Sequence, residues 1–204
     1  RLLSSYFSGR LRALAEVKLM NVDQLPYEEF LRSIPEQTFC VLFQAPPLEG
    51  TMAMEVSPTV CYGMLDHILG GVGLGTVKGN FTEIDTLLLE DLFLDSMGSF
   101  RDAWKTLVDV KPRMTAIEFN PQFMQLASAN DTVVLISFSV ELAETKGLLN
   151  LCIPHMSLEP VTERLFAQFF YTGQTGTLSD EDRKPMRMHL MNAFLPITVE
   201  LGTT

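Results

Sequence analysis

The sequence predicts an α+β fold: a duplicated helix–strand–strand–strand–helix unit with a pseudo-twofold axis, layered α/β/α around a mainly antiparallel sheet. Three observations carry this expectation. Short segments recur in the same order at nearly one offset. Strand-period runs follow one another across short connectors, as hairpins do and parallel crossovers do not. Helical stripes flank each set of strands and supply the cover that a layered sheet needs.

The recurrence is specific. Leu14-Ala15-Glu16-Val17-Lys18 returns as Leu107-Val108-Asp109-Val110-Lys111. Glu36-Gln37-Thr38-Phe39-Cys40-Val41-Leu42 returns as Asn130-Asp131-Thr132-Val133-Val134-Leu135-Ile136. Gly50-Thr51-Met52-Ala53-Met54-Glu55-Val56 returns as Gly147-Leu148-Leu149-Asn150-Leu151-Cys152-Ile153. The offsets are 93, 94 and 97 residues, a drift that small insertions explain. Repeat one is expected over about 1–70 and repeat two over about 82–171, with 172–204 as an extension belonging to neither.

Along the first copy, Leu3, Phe7, Leu11 and Leu14 mark a helix, and a strand is expected at 16–24. Pro26 and Pro35 bracket a short helix, and strands at 38–45 and 51–56 lead into a helix at 58–69. That helix starts with Ser57 as N-cap and Pro58 at the first helical position. In the second copy, Ile84, Leu88, Leu92, Phe100, Trp104 and Leu107 place one face of a helix over 83–107. Strands are expected at 110–119, 132–142 and 147–153, the last two joined by a Glu144-Thr145-Lys146-Gly147 turn. Ser157 is positioned to cap a final helix whose stripe is Val161, Leu165, Phe166 and Phe169.

Leu69-Gly70-Gly71-Val72-Gly73-Leu74-Gly75 lies where the two copies meet. Val60/Cys61, Met64/Leu65 and Ile68/Leu69 form the apolar face of the helix that runs into it, and Gly70-Gly71 ends that helix. A dinucleotide fingerprint has the reverse order, with glycines opening a helix whose N-terminus faces the pyrophosphate. Here a ligand would meet a C-terminal dipole that repels phosphate. Two readings remain: a flexible connector, or a bare backbone surface presented to another protein.

Composition narrows the rest. With 47% hydrophobic and 20% charged residues the chain is globular, and 204 residues can bury a core without disulfides or metals. The net charge of -10, from 15 Lys+Arg against 25 Asp+Glu, argues against a phosphate-binding surface. Cys40, Cys61 and Cys152 stand in apolar stretches and read as buried thiols of a reducing compartment. No apolar run nears the roughly 20 residues of a membrane span, so the cytoplasm is expected. His67, His155 and His189 lack metal-ligand spacing, and His67 is expected as a solvated helix-end residue. No motif calls for a catalytic residue, a metal or a cofactor.

Several ordered motifs carry a resemblance. They are Leu25-Pro26-Tyr27-Glu28-Glu29-Phe30-Leu31-Arg32-Ser33-Ile34-Pro35, Pro47-Leu48-Glu49-Gly50 and Asp66-His67-Ile68-Leu69-Gly70-Gly71-Val72-Gly73. Phe81-Thr82-Glu83-Ile84-Asp85, Ala103-Trp104 and Glu118-Phe119-Asn120-Pro121-Gln122-Phe123 extend it. The duplicated unit resembles the fold of the CheC and CheX chemotaxis phosphatases. More specifically, residues 1–171 resemble the middle domain of the FliM family of flagellar motor switch proteins, and Pro196 to Gly202 resembles the lead into that family's C-terminal, FliN-like domain.

The resemblance implies a non-enzymatic part of the motor switch ring at the cytoplasmic face of the inner membrane. It implies that Gly70, Gly71, Val72 and Gly73 bind FliG, and that neighbouring FliM copies stand side by side. FliN and phosphorylated CheY are expected to engage mainly regions outside this chain, and the ring relays the chemotaxis signal to the direction of rotation. Glu83-Ile84-Asp85-Thr86-Leu87-Leu88 looks like the family's CheY-capture peptide but is expected to face the core. The alternative is a CheC-like phosphatase acting on phosphorylated CheY, which uses Glu-x-x-Asn to orient water. Leu2 to Leu14 contains neither residue, and Phe93 stands where Glu90 would need its Asn.

Overall fold

The computed structural model describes residues 1–77 and 79–162. The first repeat comprises α1 (Leu2–Leu11), β1 (Ala15–Pro26), α2 (Tyr27–Ser33), β2 (Phe39–Gln44), β3 (Met52–Val56) and α3 (Pro58–Ile68). The second comprises α4 (Glu83–Trp104), β4 (Arg113–Glu118), β5 (Thr132–Leu142), β6 (Thr145–Pro154) and the short α5 (His155–Leu158). The expected stripe at Leu165, Phe166 and Phe169 and the extension 172–204 lie outside the described residues.

All six strands join one sheet in the order β1-β5-β6-β3-β2-β4, every pair antiparallel. The order is a palindrome of the two repeats, and the pseudo-twofold axis falls between β6 and β3. Met54 pairs with Leu151 there, and those two residues are also counterparts in the repeat. Each repeat lends its first strand to the other: β1 pairs with β5, and β4 with β2. Neither copy therefore completes its own sheet. The two are halves of one sheet.

The pleat assigns the faces. Phe39 and Phe43 of β2 meet Phe93 and Phe100 of α4, and Phe7 of α1 meets Phe93. On the opposite face, Tyr27 and Phe30 of α2 and Ile34 just after it pack on Cys40, Ala53, Val133, Leu135 and Cys152, joined by Met124 and Leu126. Helices thus cover both faces, as the α/β/α reading expected. Leu89, Leu92 and Phe93 in α4 are essentially fully buried, each stabilising by about 1.5–3 kcal/mol. All three cysteines are free and buried, and burial pushes their thiols up, Cys152 to about 12.

Several local expectations change. The Glu36–Leu42 match is one residue out of register. Val41 lies opposite Met54 and Ile136 opposite Leu151, so Val41 corresponds to Ile136 and not to Leu135. Thr38 and Thr132 are alike in type, but a slip of one residue exchanges the sheet faces. The β5–β6 turn is Ala143-Glu144, with Ala143 at φ 51, because Leu142 pairs with Thr145. Thr145 and Gly147 are consequently strand residues. Ser57 is the N-cap of α3 but does not cap it by side chain; Leu148 N donates to its Oγ instead, at 3.3 Å. Ser157 lies inside α5, whose N-cap is Pro154, and is fully buried.

The first turn of α4 is also different. Thr82 and Asp85 form a reciprocal capping box, Asp85 N donating to Thr82 Oγ1 and Thr82 N to Asp85 Oδ2. Ile84 and Leu87 are exposed, so this turn does not face the core. The buried stripe begins at Leu89.

Candidate functional site

The glycine segment is built by the end of α3. Val60, Cys61, Met64 and Leu65 anchor that helix in the core. Gly70 follows the C-cap Leu69 at φ 89, a conformation that glycine adopts without a Cβ penalty. Gly70 N donates to His67 O at 3.1 Å and Gly71 N to Asp66 O at 2.7 Å. This is a Schellman ending, which satisfies carbonyls that the last helical turn leaves open.

Beyond it the chain is pinned rather than loose. Asp66 Oδ2 accepts from Gly73 N at 2.7 Å and Leu74 N at 3.1 Å. Thr145 Oγ1 donates to Gly73 O at 2.6 Å and accepts from Gly75 N at 2.9 Å. Further on, Tyr62 donates to Gly79 O at 3.0 Å, and its ring stacks on Phe81 at 4.9 Å between centroids. The flexible connector gives way to a loop closed on named partners.

The glycines are what lets it close. A Cβ at Gly71 would overlap the Asp66 carboxylate, and one at Gly73, itself at φ 85, would overlap the His67 ring. At Gly75 it would lie 2.6 Å from the Thr59 carbonyl oxygen. His67 is not the solvated residue expected: its Nε2 is buried, without a hydrogen-bond partner among the described residues.

Of the predicted residues, Gly70, Gly71 and Val72 lie at the surface, Val72 being 70% exposed, whereas Gly73 is buried and both its backbone groups are bonded inward. Leu69, Leu74 and Val77 are exposed beside them. Leu69 and Leu74 share a cavity of about 180 Å³ with Thr82 and Asp85, which brings the start of α4 to the loop. On the other side, Gly70 and Gly71 border a groove of about 580 Å³ with Arg10, Arg12, Leu88 and Asp91. Arg10 there is paired with Asp91 and, at 3.6 Å, with Asp95.

The residues that hold this site, Asp66 and Thr145, were not singled out by sequence. Asp66 had a signal: a carboxylate in the last turn of a helix is unfavourable against the dipole unless N–H groups meet it. Thr145 had none, since it is 72 positions from Gly73. Elsewhere, Glu90 is exposed and Phe93 fully buried, so that helix position offers no water-orienting amide. Among the described residues no cluster of His, Cys, Asp or Glu could hold a metal, and no helix is long and apolar enough to cross a membrane.

Comparison with known proteins agrees with this architecture. The family model described as Flagellar motor switch protein FliM matches residues 1–170. The flagellar motor switch protein FliM of Bacillus subtilis is 41% identical over 205 residues, aligned to 100% of this chain and 62% of its own length. The chain thus spans less than two thirds of that curated relative. The crystal structure of the FliM middle domain from H. pylori has a TM-score of 0.73 at 28% identity, covering 79% of this chain and 88% of that one. A chain in the FliG–FliM complex from H. pylori gives 0.73 at 29% identity, covering 78% and 88%.

Proposed function

The chain belongs to the FliM family of flagellar motor switch proteins, and on that premise we propose that it is a non-enzymatic docking and relay element of the motor switch ring. Its docking surface is the loop Gly70, Gly71, Val72 and Gly73, and its partner there is FliG. The observation that carries this reading is a loop held in one shape while Val72, Leu69 and Leu74 turn outward. Exposed apolar side chains on a rigid frame bind with little ordering cost. The H. pylori complex of a similar chain with FliG supports the choice of partner.

In the ring, copies of this domain stand side by side at the cytoplasmic face of the inner membrane and relay the signal of phosphorylated CheY to the direction of rotation. Residues 1–171 form the middle domain, and 172–204 lead toward a FliN-like domain. FliN and phosphorylated CheY engage the protein mainly through other segments. CheC-like phosphatase chemistry finds no support, because the buried Phe93 takes the place of the needed amide. Phosphorylated CheY mixed with the purified chain should therefore lose label no faster than alone.

Val72→Arg tests the docking reading. The substitution places a charge at the exposed tip without touching the loop's internal bonds. FliG affinity, measured by titration calorimetry, should fall about thirtyfold, as for a central hot-spot residue, while far-UV circular dichroism stays unchanged. Wild-type affinity in this folded variant would remove the loop from the interface.

A further inference from the structure

The loop is latched at two points of different origin. Asp66 belongs to α3, the helix from which the loop emerges, and holds it through Gly73 N and Leu74 N. Thr145 belongs to the other repeat. It is the first residue of β6, immediately after the two-residue turn, and is only 4% exposed. Its single hydroxyl spans the loop, donating to Gly73 O and accepting from Gly75 N. Space for it is cut on two sides: a Cβ on Gly75 would lie 2.7 Å from Thr145 Oγ1, and one on Gly63 of α3 would lie 2.9 Å from it. Two glycines on separate segments thus make room for one hydroxyl, and that hydroxyl joins the β5–β6 hairpin to the loop by two hydrogen bonds.

We propose that Thr145 is a positioning residue for partner docking: through its hydroxyl the β5–β6 hairpin of the second repeat sets the conformation of the Gly70–Gly75 loop at the junction of the repeats. The proposal rests on the docking reading above and adds its control. A loop already in its bound shape loses little entropy on binding, so releasing it weakens affinity without removing a contact. The coupling is also reciprocal. If the hairpin orders the loop, a partner that grips the loop must in turn stabilise the hairpin.

The test compares Thr145→Val with Thr145→Ser in the whole chain, read by amide hydrogen exchange and by titration with FliG. Valine keeps the β-branched shape and removes the hydroxyl; serine keeps the hydroxyl. In Thr145→Val, exchange at Gly75 N–H should rise at least tenfold, and FliG affinity should fall about tenfold, which is about 1.4 kcal/mol. Thr145→Ser should restore both. In the wild type, FliG should slow exchange at the Ala143–Lys146 amides, and in Thr145→Val that protection should be lost. Should Thr145→Val not fold, Thr145→Ala, which only removes atoms, carries the same test.

Fast loop exchange with unchanged FliG affinity would overturn the proposal. So would weakened affinity with unchanged loop protection, or a serine variant that fails to restore either. Wild-type affinity in Val72→Arg would instead overturn the docking reading, while the exchange data would still report on the latch.

Discussion

The two hairpins of this domain occupy equivalent places about the pseudo-twofold axis and are used differently. Gly147 of the second repeat lets β6 lie against the start of α3, where a Cβ would overlap Ser57 Oγ. Its counterpart Gly50 lets the first repeat approach α5, where a Cβ would meet Ser157 Oγ at 3.3 Å. On the first side the hydroxyl is employed: Ser57 accepts from Leu148 N, and two residues before Gly147, Thr145 bonds the glycine loop. On the second side Ser157 Oγ is buried with no partner among the described residues. The position equivalent to Thr145 is the buried apolar Leu48, which can latch nothing by hydrogen bond. Duplication supplies two equivalent crevices; the polar residues in one of them make a site.

The sharpest way to break that contrast is to fill the crevices. Gly147→Ala must displace Ser57 and Val60 together and should cost about 3 kcal/mol, as overpacking does. Gly50→Ala has more room, so its cost is the positive φ, about 1–2 kcal/mol. Urea denaturation of the pair should show the larger loss for Gly147→Ala. Equal losses would mean that the two crevices are equally tight.

A smaller and opposite-signed difference is expected at the hydroxyls. Ser57→Ala leaves the Leu148 N–H without its acceptor and should cost about 1 kcal/mol. Ser157→Ala removes a buried hydroxyl with no partner, so its urea midpoint should stay level or rise. A clear loss in Ser157→Ala would mean that this hydroxyl is hydrogen-bonded in the folded chain.

Between the two crevices, beside the axis, Glu55 sets a pH signature. It is 1% exposed on β3, with Thr38 Oγ1 bonded to one carboxyl oxygen and Asn150 Nδ2 donating to the other at 2.7 Å. Burial pushes its carboxyl above the ordinary range, and these hydrogen bonds only partly oppose the shift. Below about pH 4.3, the usual glutamate value, folded and unfolded chains both hold the proton. As pH rises past that, the unfolded chain ionises while the buried group resists, so stability is lost. Glu55→Gln should therefore gain on the wild type progressively toward neutral pH and show its least advantage in acid. A constant difference in urea midpoint across that range would mean that Glu55 does not titrate between the two states.

Much of this was legible from the chain. The period-2 pattern of Met52, Met54 and Val56, repeated at Leu149, Leu151 and Ile153, marks two equivalent strands, because strand faces follow directly from alternation, but that the two strands pair with each other is visible only in the folded sheet. Gly70 and Gly71 marked the end of α3 for a local reason, since a helix stops where a residue takes positive φ. The second repeat match slipped by one residue because similarity of residue type does not encode which face of the sheet a side chain takes. Ile84 was expected inward because helical spacing identifies an apolar face but not where along the helix a neighbour begins.

The sequence by itself determined the duplicated α+β unit, through recurrence of residue type, and the strand and helix order and the place of the glycine loop, which depend on residues near one another along the chain. Tertiary structure decided the exchange of first strands between repeats and the inward bonds of Gly73. It also decided the roles of Asp66 and Thr145. Thr145 lies 70 positions from Gly75, and only a folded sheet sets that hydroxyl against that amide. A hydrogen bond depends on distance in space, and one sequence read alone carries no direct record of it.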